Sequence, residues 1–277
     1  MSWNKTLEKI ALSVPWIGKY EYRIVRLESL LREASASSGS AGDALIDQLI
    51  QRFSYLTGDE YEEMLICIAD YVAGNFDLVD TILCATTADR HKDSAQKVLY
   101  DLTSMFALRG FYKVRTLNRY DSLQKEKMPF KSVILVDEFI GSGQSIVGRV
   151  ATIKRVFGQA GKACPEIHAI AIAGMQDSLR VIESKFSSLN VCVALRRGIA
   201  QHASPENICS EYEVMSKLEA LLAQISHGEA LPSLGYARSE ALYSRQNGSC
   251  PNNVFPIFWW PELTSGQGRS PLFPRAL

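Results

Sequence analysis

The chain has 277 residues, 47% of them hydrophobic and 22% charged, and its 30 basic and 30 acidic side chains cancel. That composition is ordinary for a globular protein, with room for a sizeable core as one elaborated domain or as a core domain with appendages. A neutral chain sets up no global field to draw in nucleic acid or an anionic membrane, so direct nucleic-acid binding gains little support.

The six cysteines (Cys67, Cys84, Cys164, Cys192, Cys209 and Cys250) are scattered without a C-x-x-C pair, and the four histidines (His91, His168, His202 and His227) are equally dispersed. The pattern offers neither a zinc signature nor a disulfide framework and fits a reduced cytosolic protein. The opening MSWNKTLEKIALSVPW lacks the apolar run and small-residue cleavage site of a secretory signal. The longest apolar stretch, around I-H-A-I-A-I-A-G-M at 167–175, is far too short to cross a bilayer. The expectation is a soluble, cytoplasmic protein with no membrane partner.

Residues 1–78 read as a helical N-terminal extension. Tyr22, Val25, Leu27, Leu30 and Leu31 recur at helical spacing, and the small-residue stretch A-S-A-S-S-G-S-A-G at 34–42 reads as a linker. A second helix over 43–53 gathers Leu45, Ile46, Leu49 and Ile50 on one side, and Thr57 with Glu60 forms a capping box for a third over 58–73.

The texture changes at Val79, where a core domain is placed over 79–200. Apolar runs at 79–85, 111–117, 133–137, 167–173 and 191–195 alternate with helical patterns at 93–109, 145–158 and 177–186. Strand and helix in alternation predict an α/β fold, a mostly parallel central sheet with helices on both faces. The remainder, 201–277, reads as a helix followed by an irregular aromatic extension held down by Phe255, Phe258, Trp259, Trp260 and Phe273.

The chemistry concentrates in S-V-I-L-V-D-E-F-I-G-S-G-Q-S, residues 132–145. Ligands of open α/β sheets bind beyond the carboxyl ends of the strands, and Asp137–Glu138 ends a central strand there. Backbone amides of a glycine-containing turn form an anion cradle, and a helix opening from that turn adds favourable partial charge. Ser142 and Ser145 add hydroxyl donors. Carboxylates repel phosphate and accept hydrogen bonds from hydroxyls, so the two acids beside the cradle suit a ligand with a phosphate at one end and a diol next to it, such as a ribose 5-phosphate. Other glycine-rich motifs do not fit: the turn has no lysine for a Walker loop, Ile146 stands where a dinucleotide fingerprint needs glycine, and G-x-S-x-G is absent.

These residues resemble the phosphoribosyl-pyrophosphate-binding motif of type I phosphoribosyltransferases: four hydrophobics, two acids, two hydrophobics, then a T/G-T/S-G-x-T/S loop. The resemblance implies that Asp137 and Glu138 are the catalytic acids that grip the ribose hydroxyls, and that Gly141, Ser142, Gly143, Gln144 and Ser145 bind the 5-phosphate. Gln144 departs from the glycine or alanine of many members. The family's pyrophosphate loop maps onto 85–95 with Thr86, Thr87, Arg90, His91 and Lys92, and its flexible catalytic loop onto 118–131 with Arg119, Lys125, Lys127 and Lys131. The implied reaction displaces pyrophosphate from ribose C1, with magnesium entering with the pyrophosphate substrate and no dedicated protein metal ligands.

The ends of the chain resemble a narrower prokaryotic group associated with anti-phage, retron-like systems, on the strength of L-G-Y-A-R-S-E-A-L, N-G-S-C-P-N-N-V-F-P-I-F-W-W and P-L-F-P-R. It implies that Asn252, Asn253 and Arg275, with Asn247, complete a base or phosphate pocket. Protein or ribonucleoprotein partners of a defence system are implied as well, and an oligomer is compatible with it. Because some relatives keep the ribose-phosphate site without catalysis, a nucleotide or phosphoribosyl-pyrophosphate sensor docking a partner stands beside the enzyme reading.

Overall fold

A computed structural model of the protein describes residues 2–87 and 93–276. The chain forms two compact units, one built from residues 1–57 with 195–277 and the other from 58–194. The divisions fall at Thr57/Gly58 and Ala194/Leu195, where the sequence reading placed them after residues 78 and 200.

The second unit carries the predicted sheet. Helix α4 (Gly58–Asn75) leads into β2 (Thr81–Ala85), α5 (Ser94–Leu108), β3 (Arg115–Leu117), β4 (Ser132–Ile140), α6 (Gln144–Gln159), β5 (Glu166–Met175), α7 (Gln176–Ile182) and β6 (Ser188–Leu195). The five strands lie in the order β3-β2-β4-β5-β6, and β2 pairs in parallel with both β3 and β4, as β4 does with β5. The chain runs outward from β2 to β3, then crosses back to β4 on the other side of β2. The crossover directions diverge there, which makes the β2–β4 gap the topological switch point of the sheet.

Alternation along the strands gives each face its own cover. Ile82, Cys84, Val133, Leu135, Ile167 and Ala169 pack with Ile146, Val150, Ile153 and Phe157 of α6 in one buried cluster. The α6 residues recur at the helical period, so one stripe of the helix faces the sheet. Leu83, Ile134 and Val136 point to the opposite face and are fully buried, where α5 packs on β2 and β4 with α4 beside it. The predicted strand over 111–117 is reduced to Arg115–Leu117, because Gly110 at φ +84° and the Phe111 N–H bond to Phe106 O close the α5 C-terminus through residue 111. His168, expected to be structural, is held by Ser188 Oγ at 2.7 Å and meets the Phe76 ring edge-on at 4.8 Å.

The first unit joins both ends of the chain. It contains α1 (Ser2–Ser13), α2 (Pro15–Gly18), α3 (Glu21–Gln51), β1 (Ser54–Leu56), α8 (Ile208–Glu219), the short strands β7 (Ile225–Ser226) and β8 (Glu229–Ala230), and β9 (Tyr243–Arg245). The serine-rich stretch expected as a linker is helical apart from a break at Gly39, φ 56° and ψ −141°. Its small residues permit a close approach: a Cβ on Gly42 would stand 2.4 Å from the Ala34 carbonyl oxygen. Strand β1 pairs in parallel with β9, Ser54 opposite Tyr243 and Leu56 opposite Arg245. Phe255, Phe258, Trp259, Trp260 and Phe273 are all buried, and Phe273 stacks on Phe53 with centroids 4.7 Å apart. The aromatics of the extension therefore serve as its core, as the sequence suggested.

Candidate functional site

Strand β4 does not end on its acids. It continues through Phe139 to Ile140 because β5 supplies partners that far, Asp137 opposite Ala171 and Ile140 opposite Gly174. On the other side the ladder with β2 stops at Ala85 opposite Val136, with one further bond from Thr86 N to Val136 O at 3.1 Å. Asp137 thus stands just past the end of β2, at the switch point. The rim position anticipated from the sequence is reached two-thirds of the way along a longer strand.

Asp137 is only partly exposed, whereas Glu138 retains 2% of its accessible surface. Neighbours on a strand point to opposite faces, so the two carboxyl groups meet different surroundings. Asp137 Oδ2 accepts from Thr86 Oγ1 at 2.7 Å, and Oδ1 accepts from the Glu138 N–H at 2.8 Å and, more weakly, the Phe139 N–H at 3.4 Å. Burial pushes the Asp137 carboxyl up to about 6 and the Asp93 charge adds to it, against the pull of Thr86 and the two amides. A carboxyl group in that range is half-charged near pH 6 and mostly ionised at pH 7.

The loop after β4 is short. Gly141 and Gly143 are buried, Ser142 is half-buried, and Gln144 and Ser145 are exposed. Gly143 precedes α6 in the left-handed conformation, φ +76° and ψ −8°, and a Cβ there would lie 2.8 Å from Ile182 Cγ2. Only glycine meets both demands without displacement. Helix α6 opens at Gln144, one residue earlier than its periodicity predicted, and the Gln144 N–H reaches Ser142 Oγ at 3.4 Å. The first-turn amides of a 16-residue helix therefore emerge beside the exposed part of the loop, a suitable arrangement for an anion.

A family model described as PRTase-CE matches residues 41–275, most of the chain. The chain belongs to the PRTase-CE family. It is a phosphoribosyltransferase-like protein. Among solved structures it is similar to the Helicobacter pylori xanthine-guanine-hypoxanthine phosphoribosyltransferase, at 12% identity over 51% of this chain and 84% of the other, with a TM-score of 0.34. The AQ2163 protein from Aquifex aeolicus is similar at 11% identity over 61% of this chain and 85% of the other, with a TM-score of 0.31. No curated protein matches.

The remaining candidates divide between the units of this PRTase-CE chain. Thr86 and Thr87 are buried at the end of β2, and Thr87 O accepts from the Tyr120 N–H at 3.3 Å. Arg90 and Lys92, with His91, lie outside the described residues. Arg119 turns to Asp121, its Nε donating to Oδ1 at 3.0 Å and its Nη2 to Oδ2. Lys125 and Lys127 are exposed, and Lys131 pairs with Asp80 at 2.5 Å. The segment expected as the catalytic loop contains a 3-10 helix, Tyr120–Lys125. At three residues per turn Tyr120 and Leu123 share one face, and both are buried in the α6 cluster.

Asn252, Asn253 and Arg275 belong to the first unit of the PRTase-CE chain, and their polar groups hold its C-terminal segment. Asn253 Nδ2 donates to Tyr236 O and to Ser239 Oγ, both at 3.2 Å. Arg275 Nη1 donates to Cys250 O at 2.8 Å, with its guanidinium 5.0 Å above the Trp259 ring. Asn252 contributes its carbonyl, which accepts from the Tyr236 N–H at 2.8 Å.

Two residues around Asp137 went unread in the sequence. Asp93 immediately precedes α5, where it accepts from the Ala95 N–H at 2.9 Å as an N-cap, and its position before a helical run is the signal that could have found it. Arg149 lies in the second turn of α6. Its Nε donates to Thr86 O at 3.1 Å and its Nη1 to the Tyr120 hydroxyl at 3.4 Å, with the guanidinium 5.0 Å from the Tyr120 ring centroid. Its place next to Val150 and three residues after Ile146, on the flank of the buried stripe, was the available clue.

Proposed function

We propose that this PRTase-CE protein binds phosphoribosyl pyrophosphate or a related ribose 5-phosphate ligand at the switch point of its sheet. The observation that carries the reading is the adjacency of Asp137, past the end of β2, to the Gly143 turn that opens α6. The turn and the first amides of α6 suit the 5-phosphate, and the Asp137 carboxylate accepts from the ribose hydroxyls. In the enzymatic form of the reading, pyrophosphate leaves ribose C1 as positive charge develops on the sugar, as in glycoside cleavage. The fixed Asp137 carboxylate offsets that charge, and the protein contributes chiefly by positioning.

Magnesium would arrive with the pyrophosphate and neutralise its charge. That cation keeps waters and needs few protein ligands. The resemblance of the C-terminal segments extends the reading to an effector in a bacterial anti-phage system with protein or ribonucleoprotein partners.

A second reading, a nucleotide or phosphoribosyl-pyrophosphate sensor, is favoured by Arg119, whose charge is already met by Asp121. Incubation of the full chain with phosphoribosyl pyrophosphate, magnesium and a panel of acceptors separates the two. Pyrophosphate release that disappears in Asp137→Asn/Glu138→Gln supports the transferase. Calorimetric binding without turnover supports the sensor. Absence of both overturns the ligand assignment.

A further inference from the structure

We propose that Arg149 is a positioning residue for this site: its guanidinium ties Thr86, just past β2, to Tyr120 in the segment after β3 and thereby holds the Thr86 hydroxyl on Asp137. The role in ligand binding rests on the phosphoribosyl reading; the positioning itself does not.

The need for such a device follows from the sheet. Among the described residues, the backbone pairing between β2 and β4 ends with the Thr86 N–H bond to Val136 O. Thr86 is held on three sides. Its N–H goes to β4, its hydroxyl to Asp137 Oδ2 at 2.7 Å, and its carbonyl receives Arg149 Nε at 3.1 Å. The same guanidinium reaches the Tyr120 hydroxyl with Nη1 at 3.4 Å and lies 5.0 Å from the centre of that ring. Tyr120 closes the loop by donating its own N–H to Thr87 O at 3.3 Å.

A planar guanidinium donates in two fixed directions while presenting a flat face to an aromatic ring. Lysine has neither property, although it carries the same charge. Arg149 stands on α6, the helix that opens from the Gly143 turn. The helix beside the phosphate-binding turn thus also fixes the hydroxyl on the diol-binding carboxylate, so the two halves of the ligand site share one rigid element.

The test is carbon-13 titration of the Asp137 carboxyl in the ligand-free full chain, with the resonance assigned from Asp137→Asn, in wild type, Thr86→Val, Arg149→Lys and Arg149→Gln. The charged neighbours that act on this carboxyl, Asp93 above all, are untouched by these substitutions. Thr86→Val removes one hydrogen bond to the charged form and should raise the midpoint by about one pH unit. Arg149→Lys and Arg149→Gln should each raise it by about half as much or more. A wild-type midpoint in Arg149→Lys overturns the proposal, whether Arg149→Gln shifts or not, because the charge alone then suffices. A wild-type midpoint in Thr86→Val overturns it as well. Arg149→Lys decides the matter should Arg149→Gln fail to fold. Calorimetry with ribose 5-phosphate on wild type tests the ligand reading separately: no binding there, with a shifted Arg149→Lys midpoint, sinks that reading and leaves the positioning role in place.

Discussion

The Thr86 hydroxyl donates to Oδ2 of Asp137 across 2.7 Å, joining β2 to β4 just beyond their last backbone bond. This contact holds a carboxyl that burial has pushed up to about 6. The ordinary aspartate value in the unfolded chain is about 3.9, so the folded state binds the proton more tightly. Stability contributed by that proton is complete below about pH 4, falls as pH rises from about 4 to about 6, and leaves a deficit of about 3 kcal/mol at neutral pH. Asp137→Asn removes the titration, and its amide can still meet Thr86 and the two backbone donors. The variant should be about 1–3 kcal/mol more stable than wild type at pH 7 and close to it at pH 4. Urea denaturation across that range checks this; a variant weaker than wild type at pH 7 would contradict the account. Under the proposed ribose 5-phosphate reading, the same substitution should abolish binding of that ligand.

Gly143 answers two constraints at once, a left-handed φ of +76° and a Cβ position 2.8 Å from Ile182 Cγ2. Gly143→Ala should destabilise by about 2–4 kcal/mol, the sum of the backbone penalty and overpacking. Ile182→Ala opens the space, so in the double variant the alanine at 143 should be less damaging by about 1 kcal/mol or more. Additive losses in thermal unfolding of the four-member cycle would show that the steric reading of this turn is wrong.

Much of the second unit was legible because its signals are local. Ile146, Val150, Ile153 and Phe157 announce α6 by period alone, and the acids with the Gly143 turn announce the rim. The extra length of β4 was hidden, since Phe139 and Ile140 are held in the strand by Ala173 and Gly174 of β5, some thirty residues on. Arg149 was hidden for the same reason: nothing near it in sequence reveals that its partners are Thr86 and Tyr120. The parallel pairing of Ser54–Leu56 with Tyr243–Arg245 joins segments from opposite ends of the chain, and neither is long enough to announce itself as a strand. Only the spatial arrangement reveals that the aromatic C-terminus shares a core with residues before Gly58.

Glu240 is fully buried in the first unit, within a segment where Leu234, Ala237, Arg238 and Glu240 itself adopt positive φ. Such backbone persists only where the surroundings over-determine it. The carboxylate supplies part of that constraint, accepting from Arg197 Nη2 at 2.6 Å, the Ile199 and Ala200 N–H groups at 2.9 Å each, and the Tyr212 hydroxyl at 2.5 Å. Glu240→Ala should destabilise by about 3–5 kcal/mol by leaving the buried Ile199 N–H and the three partly buried donors unmet. Arg197→Ala should lose clearly less, because three donors to the carboxylate remain. Equal losses in denaturant titrations would show that the ion pair alone, and not the hub, holds the segment.

Arg119 and Tyr120 are adjacent in sequence and should respond in opposite ways to truncation. The Arg119 guanidinium meets Asp121 at a half-exposed position, where an ion pair contributes less than about 1 kcal/mol. Arg119→Ala should therefore leave stability nearly unchanged and, with its charge already balanced by Asp121, leave ribose 5-phosphate affinity within about threefold of wild type. Tyr120 is buried against α6 with Leu123 and carries the Arg149 guanidinium on its ring. Tyr120→Ala should destabilise by about 3 kcal/mol or more through the cavity it leaves. It should also weaken ligand binding, since the Thr87 carbonyl loses the ordered segment that holds it. A tenfold loss of affinity in Arg119→Ala, with stability intact, would mean that Arg119 leaves Asp121 for the ligand's phosphates on binding, and the segment after β3 would then act as a closing loop instead of a fixed buttress.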